Sequence, residues 1–170
     1  MSDFIKSDYD TYDKVGKSAA RWLYEVLGFN VEEDPYKDRY KIDLGVSCEC
    51  VVTDDGIHWV CFMEAGVVAW WQDEDYPADR LVTVENRKFK NKNPKEIIKF
   101  VYCNYPHDNK KVLTMRPNRF IIIDQSSVIE GRYVWHKTQR WHRNQIPDKD
   151  GRGERFYSVP QNEVTFIRIG

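Results

Sequence analysis

The sequence predicts an α/β fold of the α+β kind, with helices flanking a mixed β-sheet. Three observations predict it. An amphipathic segment near the N-terminus repeats its apolar residues at the helical period. Two apolar runs then flank a hairpin turn signal at Asp55 and Gly56. Several strand-like runs and a second helix-like segment follow, and that order of elements suits a mixed sheet. The chain has 170 residues, 41% hydrophobic and 31% charged. That is the composition of a folded protein, and the length fits a single domain over 1–170.

The first helix is expected in "DYDTYDKVGKSAARWLYEVLGFN". Val15, Ala19, Trp22, Leu23 and Val26 share one stripe, acidic residues lie near the start and Gly28 marks the end. A charged loop, "VEEDPYKDR", follows. "YKIDLGVSCECVV" and "IHWVCFMEAGVVAWW" form the expected hairpin. With Asp55 and Gly56 as its two-residue turn, Ile42, Leu44, Val46, Cys48, Cys50 and Val52 share a core face with Trp59, Cys61 and Met63. Asp43, Ser47, Glu49, His58 and Glu64 take the other face. This register sets Ser47, not Asp43, opposite Glu64, an offset of about 13 Å at ~3.3 Å per residue. It also leaves Glu49 and Glu64 as a diagonal pair.

"DEDYPAD" is an acidic turn, and "RLVTVENRKFK" is a strand that runs into a basic loop. "NPKEIIKFVYCNY" reads as a second helix, with Asn93 as cap and Pro94 in its first position. "RFIIIDQSSVI" is a buried strand. "YVWHKTQRWHRN" is a strand or a short helix, and "ERFYSVP" and "EVTFIRI" are closing strands.

The net charge of −1 hides a segregation. Residues 1–85 carry 8 basic and 19 acidic side chains, and residues 86–143 carry 14 and 4. An enzyme that holds a metal ion and a polyanion has this pattern, and so does a fold whose halves neutralise each other. No apolar run approaches the ~18 residues of a membrane span. The acidic start lacks a signal-peptide core, so the cytoplasm is the expected compartment. Cys48, Cys50, Cys61 and Cys103 do not have zinc-site spacing and read as buried free thiols. His136 and His142 without a nearby carboxylate are a weak metal signal. Phosphate-loop, dinucleotide and serine-hydrolase motifs are absent.

Glu64 is the one carboxylate in the apolar run "CFMEAGVVAWW". A buried charge is expensive unless a metal or a cationic side chain stands beside it. The alternative for Asp43 and Glu64 is ion pairing with Arg39, Lys41 or Arg87. The basic stretches "NRKFKNKNPKEIIKF" and "YVWHKTQRWHRN" mix cations with aromatics, which suits phosphates and bases. Arg87, Lys88, Lys90, Lys92, Lys137, Arg140 and Arg143 are their candidate nucleic-acid contacts.

Across about residues 10–90, a helix with Glu25, a strand with Asp43 in "KIDLGV", a hairpin and a strand with Glu64 in "FMEAG" resemble the PD-(D/E)XK nuclease superfamily. Trp70 and "VTVENRK" are similar to phage and bacterial members. The resemblance implies a restriction-endonuclease-like core and a DNA endonuclease or resolvase-like phosphodiesterase. It implies Mg²⁺ (or Mn²⁺) held by Asp43, Glu64 and Glu25, with DNA as partner and room for a homodimer. Mg²⁺ takes one or two carboxylates plus waters and substrate phosphate, which is the chemistry such residues supply. The sequence departs from the family pattern at Gly66, which stands where the catalytic lysine belongs. Lys88 is the first candidate to replace that lysine and Lys90 the second. A non-catalytic relative that binds nucleic acid or a protein is the alternative.

Overall fold

The computed structural model describes residues 6–33, 43–47, 52–53, 56–57, 61–85, 98–128, 133–135 and 155–170. A single long helix, α1 (Lys6–Val26), opens the chain. Ala19, Ala20, Leu23 and Tyr24 are its buried stripe, while Arg21 and Glu25 are exposed. The helix stops where the sequence places its stop. Gly28 has φ +93°, Phe29 N–H donates to Tyr24 O and Gly28 N–H to Glu25 O. This is a Schellman ending, and the Tyr24 and Phe29 rings, 5.7 Å apart, supply its apolar contact.

Strands β1 (Asn30–Glu33), β2 (Leu44–Ser47) and β5 (Cys61–Val67) form an antiparallel meander, with β3 (Val52–Thr53) and β4 (Gly56–Ile57) as a small outlying hairpin. Strand β6 (Val82–Glu85) leaves the main sheet. The chain then returns as β7 (Ile98–Cys103), which runs parallel to β5. β8 (Arg119–Asp124) and β11 (Thr165–Arg168) complete a six-stranded mixed sheet in the order β1-β2-β5-β7-β8-β11. β6 pairs instead with β10 (Arg155–Val159), which pairs with β9 (Tyr133–Trp135).

The α+β class with a mixed sheet is therefore as the sequence predicts. Alternation along β5 divides the core in two. Met63 and Ala65 join Leu44, Val46, Val101, Cys103 and Phe120 beneath α1. On the opposite face, Phe100, Tyr102, Ile121 and Ile123 pack with Trp71 and with Val82, Val84 and Val159 of the three-stranded sheet.

Two local expectations need correction. Residues 98–103, expected as the end of a second helix, form the central strand β7. Its run of branched and aromatic side chains is buried on both faces, as a strand covered on both sides requires. Gly56 does not occupy the turn position. It pairs with Thr53 inside the ladder. The expected pairing of Cys48, Cys50 and Trp59 lies outside the described residues.

Candidate functional site

The register of the meander moves Asp43 to Glu64. Leu44 pairs with Met63, Gly45 with Phe62 and Val46 with Cys61. One step beyond the ladder, the same register sets Asp43, not Ser47, opposite Glu64. The slip from the expected hairpin is four residues. An even slip keeps the paired strand residues on their expected faces, because side chains alternate with a period of two, but Asp43 precedes the ladder and turns its carboxylate to Lys17 of α1. Paired residues lie about 4.5–5.5 Å apart at Cα, so the expected ~13 Å offset disappears.

Asp43 lies in a bend where β2 ends. Its carboxylate reaches the neighbouring strand: Oδ2 accepts a hydrogen bond from Ala65 N–H at 2.9 Å. Asp43 is thus anchored on the peptide that joins Glu64 to Ala65. Its other oxygen, Oδ1, meets Lys17 Nζ of α1 at 3.6 Å. Lys17 in turn reaches Asp13 Oδ2, one turn earlier, at 3.1 Å. Burial works against the Lys17 charge, but the hydrogen bond to Asp13 and the charge of Asp43 outweigh it and hold the ammonium above its ordinary pKa. Lys17 is therefore a fixed positive charge at neutral pH, not a base. Glu64 is buried, at 5% exposure, and alternates away from Met63 and Ala65 toward the face of Phe100, its partner across to β7.

Gly66 has a packing reason. A Cβ on Gly16 of α1 would come within 3.0 Å of the Gly66 carbonyl carbon and 3.1 Å of its Cα. Helix and strand cross backbone to backbone, which fits the close-approach reading of a strand glycine. The crossing delivers Lys17, the next residue of the helix, to the end of β2.

The remaining expected site residues divide. Glu25 accepts from Arg21 Nε at 2.7 Å on the exposed side of α1, and Arg21 also reaches Glu33. Asp13, not Glu25, is the helix carboxylate at Lys17. Glu49, Arg87, Lys88, Lys90, Lys92, Lys137, Arg140, Arg143, His136 and His142 lie outside the described residues. Among the described residues, no three of His, Cys, Asp and Glu gather as a metal cluster. The sequence signal for Lys17 was present in "DKVGKSAA": an i, i+4 Asp–Lys pair beside the small residues that let a helix approach a sheet. Cys103 is buried and free, and burial pushes its thiol up to about 12, so it is inert at neutral pH. Among the described residues, no helix is long and apolar enough to cross a membrane.

No protein-family model, no curated protein and no solved structure matches the chain.

Proposed function

We propose that this chain is a metal-dependent phosphodiesterase of the PD-(D/E)XK nuclease type, acting on DNA with Mg²⁺ or Mn²⁺. The observation that carries the reading is the convergence of Lys17, Asp43 and the Glu64–Ala65 peptide at one end of β2 and β5. The antiparallel meander followed by a parallel strand also suits a restriction-endonuclease-like core.

Asp43 and Glu64 offer hard carboxylate oxygens, the donor type Mg²⁺ takes, and would hold the ion. When bound, the metal lowers the pKa of a water and neutralises charge on a phosphate. The protein's own residues do the rest. Ala65 N–H fixes the Asp43 carboxylate, and Lys17 supplies the ammonium that Gly66 cannot. A preorganised cation where negative charge develops contributes on the order of 10²–10³ in rate. Lys17 thereby fills the role for which the sequence offered Lys88.

A second reading has its own support. Asp43 already holds two partners, one of them from α1, and Glu64 alternates to the opposite face. That arrangement suits a nuclease-like protein that binds without cutting. Incubation of linear, nicked and branched DNA with Mg²⁺ or Mn²⁺ separates the two. Cleavage that Asp43→Asn abolishes supports the enzyme, and intact DNA with every substrate supports the binding protein.

A further inference from the structure

We infer that the cleft between α1 and the hairpin at residues 107–113 is a groove for the phosphate backbone of a nucleic-acid strand. The cleft has a volume of about 410 Å³ and is lined by Lys14, Val15, Ser18 and Trp22 of α1, with Leu113 and Arg116 opposite. The Arg116 guanidinium lies over the Trp22 ring, 4.6 Å from its centroid, and presents a planar cation at the mouth. Lys110 and Lys111 project from the adjoining hairpin, and both are exposed.

Charge selects the occupant. Lys14, Lys110, Lys111 and Arg116 make no ion pair among the described residues. The carboxylate on the hairpin, Asp108, is engaged internally, since its Oδ1 accepts from Lys110 N–H and Val112 N–H. Lys14 and Arg116 thus line the cleft over Trp22, and Lys110 and Lys111 face solvent on the adjoining hairpin, which suits phosphates flanked by bases. A second cleft, of about 370 Å³ beside Trp71 and Tyr76, carries less free positive charge, with Arg168 the one lining cation outside an ion pair among the described residues. Its Arg119 is neutralised by Asp73 at 3.0 Å and Asp75 at 2.8 Å.

The groove is preorganised. Lys111 holds φ +63°, and its carbonyl accepts from Tyr105 Oη at 2.9 Å. His107 N–H donates to Gln72 Oε1, and Gln72 joins the buried Asn104 through its carbonyl. The hairpin is therefore tied to the central sheet. Val15 and Trp22 line the groove on the flank of α1 opposite Lys17, so the helix separates the groove from Asp43. The groove names a nucleic-acid contact of its own, and it rests on the nuclease reading only for what happens to the strand once bound.

The test is fluorescence anisotropy with single-stranded and duplex oligonucleotides in EDTA, where no cleavage intervenes. The wild type should bind with an affinity that falls steeply with salt. Lys110→Ala/Lys111→Ala/Arg116→Ala should weaken single-strand binding at least about tenfold at low salt. It should also make the salt slope shallower by about 2, or roughly 0.7 for each of three contacts. Arg80→Ala, whose guanidinium lies over the Trp70 ring and outside the groove, should change neither. All three side chains are exposed, so an unchanged melting temperature checks the fold. Equal affinity and slope in the triple variant overturn the groove, as does wild type that binds phosphatidylserine vesicles but no oligonucleotide. If the triple variant loses binding while wild type with Mn²⁺ cuts nothing, the groove stands and the nuclease reading falls. If both proteins cut equally well, the groove falls and the nuclease reading stands.

Discussion

Lys17 Nζ lies 3.6 Å from Asp43 Oδ1 and joins the N-terminal helix to the end of a central strand. The Asp43 side chain is 16% exposed and that of Lys17 35%. Solvent screens a pair this open, so its net contribution to stability is about 1 kcal/mol or less. Its larger consequence is electrostatic, because it fixes a positive charge beside the carboxylate proposed to hold a metal.

Lys17→Met is expected to separate binding from chemistry. Removing a cation beside Asp43 should tighten Mn²⁺ binding and at the same time reduce cleavage about 10²–10³-fold. Calorimetry and single-turnover cleavage read the two effects. A purely structural Lys17 would lower both together. Lys88→Ala in parallel tells which lysine serves the site.

Asp43→Asn keeps an oxygen to accept from Ala65 N–H and removes only the charge, so the fold should persist within about 1 kcal/mol while cleavage is lost. Asp43→Ala also removes the acceptor of the bond from Ala65 N–H and should cost a further ~1 kcal/mol in urea unfolding. Equal stability of the two variants would mean that the 2.9 Å bond contributes nothing.

Gly16→Ala tests the helix–strand crossing. In an exposed helix this change stabilises by about 1 kcal/mol. Here the new Cβ meets Gly66 backbone at 3.0 Å, so the variant should lose about 1–3 kcal/mol instead. A raised melting temperature would refute the close approach.

Cys103 predicts an alkaline loss of stability. Burial pushes its thiol up to about 12, whereas an unfolded thiol titrates near ~8.5. Above ~8.5 the unfolded chain releases a proton that the folded chain keeps, so unfolding gains. The stabilisation is complete below ~8.5 and declines by about 1.4 kcal/mol per pH unit as pH rises toward the folded value. Lys17, whose pKa is also raised, acts in the same direction only above ~10.4. In urea unfolding between pH 8 and 10, Cys103→Ala should remove a decline of about 2 kcal/mol. An unchanged slope would show that the thiol ionises without unfolding.

Much of this was legible in the sequence where local chemistry governs. The α1 stripe, its Gly28 stop, and the alternation of Leu44, Val46 and Met63 follow from periodicity and capping alone. The face of Glu64 also follows from parity, which a four-residue slip preserves, but that of Asp43 does not, because Asp43 lies in a bend and turns its carboxylate to Lys17 of α1. The register itself did not, because Asp55-Gly56 marks a hairpin without fixing which residue turns, and Gly56 entered the ladder. β7 was misread because a strand buried on both faces loses its alternation, and Asn93-Pro94 resembles a helix start. Lys17 was missed because its partner lies on another element. A helix lysine shows no sign in sequence that it will reach a strand end, except through the glycines that let the two backbones meet.

The central claim is that the Asp43–Glu64 end of the sheet holds a divalent cation beside Lys17. Calorimetric titration of the DNA-free protein with Mn²⁺ tests it most directly. The account predicts saturable binding by wild type, loss of binding in Asp43→Asn and Glu64→Gln, and tighter binding in Lys17→Met. Wild type that takes up no Mn²⁺, or Asp43→Asn that binds it as tightly as wild type, would contradict the account.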